Sequence, residues 1–140
     1  MTADGKIVVA ELRLILVTPE KTLFDREVAS IRVPLFDGAA GFYPGRAPLV
    51  GRLGIGELRL TDAGGTSESY FIDGGFVQVK GSLVSVLTNS SIATRDISRR
   101  DADAKLAAAK EVKARTPEEQ ASAARSLERA RKMVSLAGRD

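Results

Sequence analysis

The side chains able to do chemistry in this 140-residue sequence are carboxylates and guanidiniums, and their spacing does not suggest an active site. General acid–base work would have to use Asp25, Glu27, Asp37 and Asp62. These fall on expected turns, with nothing to set their pKa values apart. Metal ligands would have to come from the same carboxylates, and no spacing supports a site. Cysteine and histidine are absent, which removes disulfides, zinc–thiolate sites, cysteine nucleophiles and any Ser-His-Asp arrangement. The glycine-rich segment 38–45 has no lysine and leads into Arg46-Ala-Pro, so it reads as turn chemistry and not as a phosphate cradle. No catalytic residue, cofactor or metal is expected. The better-formed constellation is basic: Arg125, Arg129 and Lys132, at i, i+4 and i+7, share one helix face. Such a face docks on acidic protein surface or simply keeps a helix soluble, and both readings stand.

The elements that position these residues fall into two blocks. From Glu11 to about Ile92 the pattern is short and strand-like. Ala29, Ile31, Val33 and Leu35 alternate onto one face. Pro34 cannot donate to a ladder and belongs at an edge or beside a bulge. Asp62-Ala-Gly-Gly-Thr66 and Lys80-Gly-Ser82 read as hairpin turns, and Asp73-Gly-Gly75 as a further tight turn. Ten or so strands at this spacing predict an antiparallel β-sandwich or flattened barrel over residues 1–93. The first ten residues carry no clear pattern and are expected to be mobile.

Residues 94–140 are alanine-rich and free of glycine until Gly138, a helical composition. Ser98 caps a helix over about 99–114. Thr116-Pro-Glu-Glu119 is a capping box with proline at the first helical position, opening a second helix to about Ala137. A link of about two residues makes the pair an antiparallel hairpin, so the fold class is α+β. The predicted apolar stripes are Ala102, Leu106, Ala109 and Val112, then Ala124, Leu127, Ala130, Val134 and Ala137. Alanine buries little area, so the hairpin is either static or readily released.

Residues 1–93 carry 9 basic and 10 acidic side chains, and residues 94–140 carry 12 and 8, so the net +3 lies in the tail. No aromatic residue follows Phe76 to stack on bases, which argues against nucleic acid. Apolar runs such as Leu14 to Val17 are too short to span a bilayer, and the start lacks a signal-type segment. A soluble, cytoplasm-side protein is expected.

The string Gly41-Phe-Tyr-Pro-Gly45 with Ala47-Pro-Leu49, then Gly74-Gly75-Phe76, resembles the epsilon subunits of bacterial F-type ATP synthases. Leu12 to Val17, Thr18-Pro-Glu20, Phe24, Val33, Gly56 and Val84 to Leu87 extend the likeness across nearly the whole chain. The resemblance implies a noncatalytic rotor (central-stalk) subunit. In that family the sandwich binds the gamma subunit and rests on the c-subunit ring, coupling ion-driven rotation to ATP synthesis on the alpha/beta head. The hairpin folds on the sandwich or extends along gamma, where it inhibits ATP hydrolysis. The chain would then be a peripheral protein at the cytoplasmic face of the inner membrane, reaching the membrane only through the complex. By the same likeness the turn bearing Ala39, Phe42, Tyr43 and Arg46 faces the c ring, and Arg125, Arg129 and Lys132 face the beta subunits. Two positions depart from the family pattern: Arg46 replaces a usual histidine, and Ala39 a frequent carboxylate. The nucleotide motif Ile-Asp-x-x-Arg-Ala reads Ile97-Ser-Arg-Arg-Asp-Ala102, with Ser98 for Asp and Asp101 for Arg, so weak or absent nucleotide binding is expected. The alternative is a free-standing β-sandwich module whose basic arm engages an acidic partner.

Overall fold

The computed structural model describes residues 2–3, 6–7, 12–36, 38–42 and 48–137. At the start, β1 (Thr2–Ala3) pairs antiparallel with β2 (Lys6–Ile7). The expected mobility of the first ten residues otherwise lies outside the described residues.

The sandwich is built on strands with period-two burial. In β3 (Leu12–Val17), Leu12, Leu14 and Leu16 are buried while Arg13 is exposed. β4 (Thr22–Val28) runs antiparallel to it. The chain then bends at Ala29 into β5 (Ser30–Leu35), so the predicted alternating stretch is shared between two strands, with Ile31 and Val33 buried. β6 (Gly38–Phe42) folds back on β5, so part of the predicted glycine-rich turn is a strand. Next come β7 (Leu49–Thr61), β8 (Ser67–Lys80), β9 (Leu83–Leu87) and β10 (Ser91–Ala93). The strand order is β4-β3-β9-β8-β7-β5-β6, with β10 added alongside β8. The pairing is antiparallel as expected except between β3 and β9, which run parallel. The register of β5 on β7 shifts between Arg32 and Leu35, which places Pro34 beside a bulge as its missing N–H requires.

The expected turn at Asp73-Gly-Gly75 is not a turn. These residues lie inside β8, and Gly54 and Gly56 lie inside β7 opposite them. Burial changes parity here: Leu53 but then Leu58 and Leu60 in β7, Ile72 but then Val77 and Val79 in β8. Both strands swap the face they turn to the core, which bends the ladder from one layer of the sandwich into the other. The glycines supply the room for that corner. Gly74 and Gly75 have φ of 71° and 117°, and a Cβ on Gly56 would sit 3.1 Å from the Pro34 side chain. The other two turns match expectation: Asp62 Oδ1 accepts from the N–H groups of Gly64 and Thr66, both at 2.9 Å, and Gly81 takes φ 61° between β8 and β9. Leu12, Leu14, Leu16, Leu58, Leu60 and Val84 belong to one continuous core between the layers. Truncating any of these leucines to alanine would cost about 2–5 kcal/mol.

A short 3-10 helix (Thr94–Asp96) leads into α1 (Arg99–Lys110) and α2 (Pro117–Leu136). Both predicted caps are present: Ser98 Oγ accepts from the Asp101 N–H at 3.2 Å, and Thr116 Oγ1 from the Glu119 N–H at 3.1 Å. α1 stops four residues earlier than its composition predicts, so the link is 111–116 and not two residues. Val112 is left in the link and exposed. The apolar stripe of α2 is also rotated from the predicted one. Ala130, Met133 and Leu136 are buried, Leu127, Val134 and Ala137 are half-buried, and Ala124 is exposed.

Candidate interaction surfaces

The hairpin docks on the outer face of β7 and β8 just before the corner. In the antiparallel register Phe71 lies opposite Ile92 of β10, and Asp73 opposite Ile55 of β7, so these side chains share one face. Phe71, Ile97, Ala102, Met133 and Leu136 pack there as a second apolar cluster, separate from the sandwich core, with Ile55, Ile92 and Val134 against it. Arg129 stands four residues before Met133 on α2, and its Nε donates to Asp73 Oδ2 at 2.6 Å. One strand face therefore meets one helix face twice, through an apolar contact and an ion pair. The pair is partly solvated, with side-chain exposures of 38% for Arg129 and 21% for Asp73, so it contributes at most about 1 kcal/mol.

The predicted basic face thus divides. Arg125 and Lys132 are exposed, whereas Arg129 is bound to the chain's own carboxylate. Between hairpin and sandwich lies a cleft of about 680 Å³, lined by Phe36, Arg52 and Phe76 on one side and Arg125, Glu128 and Arg129 on the other. The Arg52 guanidinium lies over the Phe36 ring, 4.5 Å from its centroid. Beyond the corner the outer face of the sandwich exposes several large apolar side chains. Phe76, flanked in register by Arg52 and Leu87, is 58% exposed, and Leu87 and Val50 are also exposed. Exposed apolar side chains grouped around Arg52 and Gln78 in this way make this face a candidate protein contact.

The carboxylates considered for catalysis are dispersed. Asp25 takes a two-pronged bond from Arg13, at 2.8 and 2.6 Å, and this guanidinium holds it below the usual carboxylate range. Asp62 closes its turn, and Glu27 is exposed. Asp37 lies outside the described residues. Among the described residues no cluster of acidic side chains has the makings of a metal site. Of the turn expected to face a ring, Tyr43 and Arg46 lie outside the described residues. Ala39 and Phe42 are placed by backbone alone, opposite Pro34 and Ile31 in the β5–β6 ladder. Ser98 and Asp101 sit together at the start of α1 as cap and first-turn acid. The sequence places Asp73 only in an expected turn; its ion pair comes from a partner 56 residues away.

Residues 11–94 match the family described as the beta-sandwich domain of the ATP synthase Delta/Epsilon chain. The chain belongs to the ATP synthase epsilon-chain family. The match agrees with the resemblance carried by the Gly41–Leu49 string. The chain is 44% identical over 108 residues to the ATP synthase epsilon chain of Rhodopirellula baltica, covering 77% of this chain and 84% of that one. It is 29% identical over 130 residues to the sodium ion specific epsilon chain of Propionigenium modestum, covering 91% and 94%. In fold it resembles a chain in the Euglena gracilis mitochondrial ATP synthase OSCP/F1/c-ring structure, with a TM-score of 0.82 and 22% identity over 96% of this chain and 86% of that one. It also resembles one in the Tetrahymena thermophila central stalk/c-ring structure, with a TM-score of 0.68 and 14% identity over 90% and 96%. The family model covers the sandwich, and the likeness in fold extends over the appended helices. Among the described residues no helix is long and apolar enough to cross a membrane.

Proposed function

We propose that this chain is a noncatalytic central-stalk subunit of an F-type ATP synthase, coupling ion-driven rotation to ATP synthesis. The 44% identity to an epsilon chain carries this reading. The sandwich is the attachment module: the face exposing Val50, Phe76 and Leu87 meets the gamma subunit, and the turn bearing Ala39, Phe42, Tyr43 and Arg46 meets the c ring. The subunit lies at the cytoplasmic face of the inner membrane as a peripheral component of the complex.

The hairpin is the regulatory arm. Its docking rests on one small apolar cluster and one partly solvated ion pair, so modest competing contacts on the alpha/beta head are enough to draw it away. Extended, it presents Arg125, Arg129 and Lys132 to acidic surface of the beta subunits and restrains ATP hydrolysis. The isolated subunit binds nucleotide weakly or not at all, because Ser98 and Asp101 stand where the family's binding motif has Asp and Arg. ATP hydrolysis by the reassembled enzyme, with the full chain and with residues 1–93 alone, tests the arm. Hydrolysis rises on truncation if the arm inhibits, and an unchanged rate removes the inhibitory role.

A further inference from the structure

We propose that Asp73 is a built-in competitor for Arg129, holding in the docked chain the guanidinium that an acidic partner takes when the hairpin leaves. The inference deepens the regulatory reading above and rests on it for the identity of the partner surface. Its structural basis is independent of that reading. Phe71 and Asp73 project from the same face of β8, two residues apart, while Arg129 and Met133 lie one turn apart on α2. The pair at 2.6 Å and the packing of Met133 with Phe71 and Leu136 are therefore two parts of one register. The Arg129 Nε–H held by Asp73 is not free for a second carboxylate while the hairpin is docked.

Three consequences follow from the placement. In the docked chain the basic face is incomplete, because Arg125 and Lys132 are exposed while the residue between them is neutralised. An acidic protein surface that takes the Arg129 Nε–H displaces Asp73, so partner binding and hairpin release become linked steps. Asp73 is also fixed in place by the corner of the sandwich. It immediately precedes Gly74 and Gly75, whose positive φ values set the path of β8, and its carbonyl accepts from the Asn89 side chain at 3.3 Å. The carboxylate is thus held by the rigid layer and the guanidinium by the movable one. The other charged groups lining the adjoining cleft are Arg52, Arg125 and Glu128.

Native-state hydrogen exchange on the purified chain tests the latch, because amides of α2 report release of the hairpin while ladder amides of β3 and β8 report the sandwich. For Asp73→Ala the expected result is about fivefold weaker protection across α2 with unchanged protection in the sandwich. The reversed pair, Asp73→Arg with Arg129→Asp, should regain most of it. Unchanged α2 protection in Asp73→Ala would overturn the proposal, and so would a reversed pair no better than either single variant. The regulatory reading is judged separately, by ATP hydrolysis of the enzyme reassembled with Asp73→Ala. If α2 loosens but hydrolysis does not fall, the latch stands and the inhibitory reading fails.

Discussion

Gly75 and Leu87 lie so close across the β8–β9 ladder that a Cβ on Gly75 would sit 1.9 Å from the Leu87 carbonyl oxygen. The contact is backbone against side chain root, and φ at Gly75 is 117°, a conformation L residues rarely adopt. Neither problem can be relieved by a rotamer change. Gly75→Ala should destabilise the chain by about 3 kcal/mol or more, measured by denaturant unfolding. Gly64→Ala is the control. A Cβ there meets nothing closer than Asp62 Oδ1 at 3.4 Å, and its effect should stay within about 0.5 kcal/mol.

The two apolar clusters predict two kinds of core mutant. Leu14 belongs to the sandwich core and Met133 to the docking cluster. Leu14→Ala should lower global stability by about 2–5 kcal/mol. Met133→Ala should weaken hydrogen-exchange protection in α2 while leaving the ladder amides of β3 and β8 as they were. Equal loss in both regions would show that hairpin and sandwich unfold as one unit.

Phe76 is 58% exposed, so replacing it should barely disturb folding. Phe76→Glu replaces the exposed aromatic ring between Arg52 and Leu87 with a carboxylate. Affinity for the gamma subunit, measured by calorimetry, should fall tenfold or more, a change of about 1.4 kcal/mol. An unchanged affinity would assign gamma to another face.

Burial, followed by the neighbouring Glu68, raises the pKa of the Tyr70 phenol, which donates to Glu68 Oε1 at 3.1 Å. A raised folded-state value means the protonated form is favoured by folding. This contribution is complete below the unfolded pKa near 10 and is lost as pH rises through the higher folded value. Thermal stability should therefore fall more steeply above pH ~10 in the native chain than in Tyr70→Phe. Parallel curves would show that the phenol is not coupled to folding.

What was legible in the sequence was what local chemistry decides. Ser98 and Thr116 read as caps because a capping hydroxyl reaches only three residues ahead, and both do so in the structure. Pro34 read as a bulge neighbour because its nitrogen has no proton to offer. Gly74 and Gly75 read as a turn because a corner inside a long strand uses the same residues as a turn between short ones. The early stop of α1 at Lys110 was invisible, since nothing in Glu111-Val-Lys-Ala-Arg115 opposes a helix and the path back to β8 is a tertiary matter. Met133 and Leu136 were passed over, although Ala130, Met133 and Leu136 fall at steps of three along one face. The ion pair of Asp73 could not have been found by spacing, because its partner Arg129 lies 56 residues further along the chain.

Affinity of the purified chain for its own gamma subunit, with and without residues 94–140, tests the central-stalk assignment most directly. The two clusters are separate, so residues 1–93 should stay folded and bind gamma as tightly as the full chain. Absence of binding at micromolar concentration by either form would contradict the assignment.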